Sequence, residues 1–446
     1  MTAPAGTRRL KDIVSELHPL ARTLACKDTE AALKIIAGRF PASGNCRVET
    51  IPAGTQAWDW VVPERYEVRE AYLAFEDGKR IADYADNPLH LVSYSLPVDR
   101  VVSWEELAPH LHFSEKRPDA IPWVFRYYDR TWGFCLAKKI FDSLPRDKRY
   151  RVVIKSEFQG APAGLSVADA VLGPPPAKGA ADFGEFIVCA NVCHPRQSND
   201  SITGVAVAVE LAHRLAERPL PPDSMAVRFL FCPETIGSIA YLSRHPDLIL
   251  RLRAGLFCEM CGTSEPLTLQ RSIRDTHAVD LIARQVLTDA GRPFKELACR
   301  EGIVNDELVL NNPGVEVPTV SLVRWPYDEY HTSDDRPEIL SEDKLRETAD
   351  VVENIVRTTA SNFIPRRTSP GPVFLSKHGL WVDWRTQPKL NEAMDQIMLR
   401  MDGRRDVFSI SKAVGLGFEE TRAFVARFVE RGLARALPVP RDGPLG

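Results

Sequence analysis

Two histidines and three acidic residues between positions 194 and 331 have the types and the placement for metal chemistry. His194 and Asp200 fall in NVCHPRQSNDSITG, Glu234 in FLFCPETIGSIAYL, Glu259 in LFCEMCG and His331 in YDEYHTSDD. Zinc takes imidazole and carboxylate ligands converging from different elements, and a catalytic zinc keeps one position open. Such a site also needs a carboxylate outside the metal shell to move a proton. Singly, each residue has a plainer explanation. A lone His after a strand is commonly a hydrogen-bonded structural residue, and Asp200 with Ser201 could simply cap the helix that follows. What points to one site is that all four clusters fall at or just after the ends of apolar, strand-like runs.

For these residues to meet, those runs must be neighbouring strands of one sheet. From about 150 to 360, RVVIKSEF, FIVCANV, AVRFLFC, AGLFCEM and VPTVSLV alternate with helical segments that include 204–217 and 276–290. The alternation predicts an α/β fold with a largely parallel sheet covered by helices on both faces. Strand-to-helix turns are where such folds place their chemistry. Residues 1–45 read as two helices, and from about 46 to 110 short alternating segments broken by Pro, Gly and Asp predict a small β-rich unit. RTTASNFIPRRTSPGP reads as a linker. Beyond it, KLNEAMDQIMLRM, SISKAVG and FEETRAFVARFVERGLARAL predict three helices and a terminal strand, the outline of a winged helix.

Composition narrows the function classes. The 446 residues are 44% hydrophobic and 26% charged with a formal net charge of -3, so two or three domains fit and nothing draws the chain to nucleic acid or an anionic membrane. The last long helix mixes Glu419, Glu420 and Glu430 with Arg422, Arg427 and Arg431, a pattern for docking rather than DNA reading. The first twenty residues hold no apolar stretch of signal-peptide length, and no segment could span a bilayer; the expected location is cytoplasmic. Nine cysteines, an odd number scattered through strand-like segments, fit free buried thiols in a reducing compartment. Cys258 and Cys261 form a lone CxxC without a second pair, read as two small buried residues at a strand end.

The ordered set HPRQSNDSITG, PETIGSIAYL, CEMCG, NDELVLNNPGVEVP and YHTSDD resembles the co-catalytic zinc aminopeptidases of the M28 type, a superfamily that includes the glutaminyl cyclases. LHPLARTLACKDTEAALKII, VPERYEVREAYL, NPLHLVSYSLPVDR and DRTWGFCL extend the likeness over nearly the whole chain. They resemble bacterial aminopeptidase-like proteins with a DUF4910 peptidase domain, an inserted β-rich DUF2172 domain and a C-terminal winged helix. The resemblance implies a mixed, mainly parallel sheet covered by helices, of the zinc-exopeptidase type. It implies an N-terminal helical part at 1–45, the inserted domain at 46–115, the α/β peptidase domain at 116–362 and the winged helix at 363–446. His194 matches the first zinc ligand, Asp200 the metal-bridging aspartate and His331 the last ligand, while Glu259 stands where the family has a ligand aspartate. Asp306 would give support behind the ligands, and Asp335 would orient the His331 imidazole.

One departure bears on mechanism. Where M28 enzymes carry two adjacent glutamates, a base and a ligand, this chain has Pro233 and Glu234. With Glu234 as base, His194, Asp200, His331 and Glu259 remain to hold one zinc rather than two. With Glu234 as ligand, the base would fall to Glu259 or Glu329. The base assignment is the preferred one. The expected activity is that of a metallo-aminopeptidase on a peptide or amino-acid amide. Candidate pocket walls are RYYDRTWGFC, with Arg130 and Trp132, and RWPYDEY, with Tyr330; core packing is their plainer role. Rival readings are a glutaminyl-cyclase-like enzyme, a biosynthetic hydrolase of small-molecule amides, and a catalytically silent binding or regulatory protein. The extra domains offer surfaces for a homo-oligomer.

Overall fold

The computed structural model describes residues 9–173 and 182–441. Residues 1–8, 174–181 and 442–446 lie outside these. At the centre is an eight-stranded sheet of β1 (Arg47–Pro52), β2 (Gly164–Leu172), β3 (Glu185–Asn191), β4 (Ala226–Cys232), β5 (Leu252–Cys258), β6 (Leu267–Gln270), β7 (Phe294–Leu297) and β8 (Thr319–Val323). Its spatial order is β1-β2-β4-β3-β5-β8-β6-β7. The four central strands β4, β3, β5 and β8 run parallel, with antiparallel pairing where β2 meets β4 and where β8 meets β6. The expected mixed, mainly parallel sheet is what forms.

The central strands are buried on both faces; every residue of β3 is, and its near-continuous apolar sequence follows from that. One face is covered by α1 (Leu10–Leu17), α2 (Lys27–Arg39), α3 (Ile202–Glu217), and two later helices, Ala278–Asp289 and Glu342–Ala360. The other is covered by Ile236–Arg244 and the short Asp306–Asn311. Gly204, in the first turn of α3, lets that helix cross the end of β5: an added Cβ would stand 1.8 Å from the Cys258 carbonyl oxygen. A residue with a side chain there would push the Asp200 turn away from Glu259.

The smaller sheet differs from the expected domain span. Arg65–Phe75, Arg80–Asp83, Val98–Val102 and Tyr150–Gln159 form four antiparallel strands. Its strands thus come from 65–159 rather than 46–115. RVVIKSEF, expected in the α/β sheet, lies inside this one, while Arg47–Pro52 is the edge strand of the main sheet. An apolar run reports burial but carries no record of which distant strand will pair with it.

RTTASNFIPRRTSPGP is not a free linker. It holds the end of helix Glu342–Ala360, the buried Phe363 and the strand Ile364–Arg367, which pairs antiparallel with Ala434–Leu437. The Asn362 side-chain oxygen accepts from the Phe408 amide at 3.0 Å, and Arg422 Nε donates to the Ser361 carbonyl at 3.0 Å. Three helices, Pro388–Arg400, Val407–Val414 and Phe418–Glu430, bury their apolar faces in the same core as α1 and α3. Arg422, one of the charged residues of the last long helix, is buried with its guanidinium 5.8 Å from the Phe363 ring centre. All nine cysteines are free, and Cys258 and Cys261 are buried with their sulfurs 3.2 Å apart. Among the described residues no helix is long and apolar enough to cross a membrane.

Candidate metal centre

Because the four central strands are parallel, their C-terminal ends share one edge, and the turns leaving β3, β4, β5 and β8 carry His194, Glu234, Glu259 and His331. The His194–Asp200 turn is held from two sides. The fully buried Arg22 donates from Nη1 to the Val192 carbonyl at 3.0 Å and from Nη2 to the Gln197 carbonyl at 2.8 Å. Burial draws its pKa down to about 10. Opposite it, Asp335 accepts from the amides of Asn199 (2.7 Å) and Ser198 (3.2 Å) through Oδ1. Its Oδ2 accepts from the Asp200 amide (3.0 Å) and the Tyr327 hydroxyl (2.8 Å). Asp335 therefore clamps the backbone of the Asp200 turn; its oxygens are taken up there rather than by the His331 ring. Asp335→Ala would leave the buried Asn199 and Asp200 amides without an acceptor, while the Ser198 amide keeps the Asp335 backbone carbonyl at 3.2 Å. It is expected to cost at least ~2 kcal/mol in urea unfolding of the metal-free protein, more than Asp335→Asn.

The imidazoles face inward. Ser201 Oγ gives its proton to the Asn191 carbonyl at 2.8 Å and lies 3.4 Å from His194 Nδ1, where it can accept. That leaves His194 Nε2 facing Asp200 Oδ1 at 3.7 Å and Glu234 Oε2 at 3.3 Å. His331 Nε2 lies 3.0 Å from Asp200 Oδ2, yet neither atom makes a hydrogen bond of proper direction. Trp123 stands edge-on to both rings, 4.4 Å from His194 and 4.6 Å from His331, and Tyr330 stacks on His331 at 3.7 Å. Thr235, Met260 and His331 all have left-handed backbone, with φ of 61°, 49° and 55°. The chain bends sharply where it presents Glu234, Glu259 and His331.

Glu259 is fully buried. Its Oε1 accepts from the Asn305 side-chain amide, while Oε2 has no partner. Asn305 is in turn fastened through its backbone amide to the Glu307 carboxylate at 3.1 Å, which also accepts from Gln270 at 3.2 Å. Burial pushes the Glu307 pKa up to about 7. Asp306 is buried below the end of β4, where Cys232 Sγ lies 3.8 Å from its Oδ1, and burial pushes it to about 7 as well. It sits with Cys189 and Cys232 rather than with the histidines.

The chemistry of this donor set fits a cation. The ligand atoms of His194, Asp200 and His331 lie within 4.8 Å of one another, and Glu234 joins His194 and Cys193 in an overlapping group. Glu259 stands outside both groups. Asp200 Oδ2, His331 Nε2 and Glu259 Oε2 are buried without hydrogen-bond partners. Burial, then repulsion from Asp200 and Glu234, drives the Glu259 pKa well above the usual range. Burial also acts to raise Asp200, but His194, His331 and Arg22 outweigh it and hold that carboxyl below its ordinary value. Unpaired acids of this kind are costly in a protein interior, and a divalent ion among N and O donors would relieve the cost.

Other expected residues fall elsewhere. Arg130 pairs with the exposed Glu64 and lies over the Phe158 ring; Trp132 stacks on His110 at 3.8 Å in the core of the small sheet. Neither lines the cavity beside Glu234, whereas Tyr127 and Tyr128 do. Glu329 faces Arg117 at 3.8 Å. Sequence reasoning passed over Trp123, Arg22 and Asn305. Trp123 stands in an aromatic-rich stretch with no periodicity to single it out; Arg22 and Asn305 fall inside LHPLARTLACKDTEAALKII and NDELVLNNPGVEVP, where nothing in their residue types marks a role at the site. Asn305→Ala is expected to weaken zinc binding ~10–100-fold by freeing Glu259, as measured by competition with a chelator.

A family model described as a domain of unknown function, DUF4910, matches residues 11–362. A Clostridium acetobutylicum protein described as a "putative polysaccharide biosynthesis protein with aminopeptidase-like domain" is 28% identical over 417 residues, 92% of each chain. The crystal structure of a "putative peptidase" from the same organism superposes with a TM-score of 0.80 at 26% identity, covering 96% of both chains. BSAP, a zinc aminopeptidase from Bacillus subtilis, is alike in fold, with a TM-score of 0.60 at 15% identity over 81% of this chain and 96% of its own.

Proposed function

The chain belongs to the DUF4910 family, and from that premise we propose that it is a zinc-dependent amide hydrolase, an aminopeptidase acting on peptides or amino-acid amides. The observation that carries this reading is the convergence of His194, Asp200 and His331 within 4.8 Å, with the Glu234 carboxylate 3.3 Å from His194. Zinc, when bound, makes water a stronger acid and polarises a carbonyl oxygen. His194, Asp200 and His331 would hold it as three protein ligands with Glu259 as a fourth donor, one ion rather than two. Glu234 is the carboxylate suited to proton transfer, because its side chain keeps 31% exposure at the mouth of the site while Asp200 and Glu259 are buried. It takes a proton from the attacking water on its carboxylate oxygen and returns it to the departing amine nitrogen. Trp123 keeps solvent off the two imidazoles.

The Clostridium relative's description favours a second reading, hydrolysis of an amide in a biosynthetic intermediate. We read residues 363–446 as a winged helix that shares the main core, and nine free cysteines support a cytoplasmic location. The test is a zinc-loaded sample incubated with a peptide bearing N-terminal glutamine. Release of free glutamine supports the aminopeptidase. Release of ammonia would make the enzyme a cyclase, and no release from this or any aminoacyl amide would leave a silent binding protein.

A further inference from the structure

Beside Glu234 lies a cavity of about 180 Å³ that proton transfer does not use. Its walls are Trp60, Phe125, Tyr127 and Tyr128, with Leu24 and Ile236 behind them and Glu234 at its edge. Glu234 is the one charged group among the lining residues. The aromatic rings are already arranged around one another: Phe125 stacks on Tyr127 at 4.7 Å, and Trp60 meets Tyr128 edge-on at 6.2 Å. The Tyr128 hydroxyl donates to the Val61 carbonyl at 3.0 Å, tying the wall to the hairpin that carries Trp60. Trp60 and Tyr128 nevertheless remain 41% and 51% exposed. Phe125, in the cavity wall, and Trp58 and Val61, beside Trp60 in the sequence, are exposed as well. An apolar patch of this kind on a soluble protein marks a binding surface, and this one is continuous with the candidate metal centre through Glu234.

We propose that this cavity receives a single aromatic ring carried by the residue whose carbonyl is attacked, so that substrates begin with phenylalanine or tyrosine or an analogue of them. The proposal rests on the amide-hydrolase reading above. Size supports it, since a cavity of roughly 150 Å³ holds a benzene molecule. Chemistry supports it too. A sugar ring would have to bury several hydroxyls against mostly aromatic and aliphatic walls, where Glu234, Thr235 and the Tyr127 hydroxyl offer few partners. An acidic side chain would meet no cation there. An aromatic ring, by contrast, finds edges and faces with which to stack. The aromatic walls come from the hairpin after β1 and from the irregular segment around 123–128, while Cys193, Glu234 and Thr235 at the inner end belong to the turns that present the site. Specificity and catalysis can therefore be altered separately.

Calorimetric titration of the zinc-loaded full chain with L-phenylalaninol and L-alaninol reads the pocket without any turnover, because neither amino alcohol has a carbonyl to attack. Phenylalaninol is expected to bind ~30-fold tighter, the value of burying one phenyl ring. Trp60→Ala and Tyr128→Ala should each remove ~10-fold of that preference and leave alaninol binding unchanged. Tyr128→Phe should keep it. Both side chains are half-exposed, and unchanged melting temperatures would verify that the variants fold. Equal binding of the two alcohols, no measurable binding of phenylalaninol, or equal losses for both ligands in the variants would overturn the proposal. A phenylalaninol preference without hydrolysis of any aminoacyl amide would keep the pocket and sink the hydrolase. Hydrolysis of phenylalanine and alanine amides with equal kcat/KM would do the reverse.

Discussion

Glu234→Gln is expected to lower kcat ~10³-fold while the protein keeps its full zinc content. The amide matches the carboxylate in shape and can still pair with its surroundings, so the turn after β4 should be undisturbed; Glu234 N, which approaches Cys193 Sγ at 3.1 Å, is untouched. What the amide cannot do is take a proton. Glu234 is also the carboxylate free for the role: Asp335 is occupied by three backbone amides, and Glu259 is buried and bound to Asn305. Turnover of a phenylalanine amide and elemental analysis on the same sample decide the matter. Loss of metal together with activity would make Glu234 a ligand, and the base would have to be sought elsewhere.

His194→Ala and His331→Ala are expected to strip the metal. Each removes an imidazole whose Nε2 lies within 4 Å of Asp200, leaving two protein ligands and a buried carboxylate with less to balance it. The loss in zinc affinity should exceed the ~10–100-fold that removal of an outer supporting partner costs. After dialysis against a weak chelator, the parent chain should retain about one zinc and each variant far less than one. Full occupancy in both variants would sink the site as drawn. About two zinc ions in the parent chain would bring Glu234 or Glu259 into a second site and reopen the choice of base.

The positions of His194, Asp200, Glu234, Glu259 and His331 were legible in the sequence because each lies in the turn that leaves an apolar strand, within about nine residues of its end. The distance along the chain from strand end to functional residue is short, and alternation with helices makes the strands parallel, so a local pattern is enough to place them on one edge. Likewise the long helices and the free cysteines, all but Cys46 and Cys299 of them buried, follow from local spacing and composition. Which groups steady and surround that edge was decided only by the tertiary structure. Arg22 grips carbonyls 170 and 175 residues away, Asp335 binds amides about 136 residues before it, and Asn305 reaches 46 residues back to Glu259. The same holds for Tyr150–Gln159, whose partners Arg65–Phe75 and Val98–Val102 place it in the small sheet, and for Trp123 and Trp60, which reach the site while Trp132 does not. Hydrophobic periodicity records how deeply a segment is buried. It does not record its partner, because pairing is set by the three-dimensional path of residues far apart in the chain.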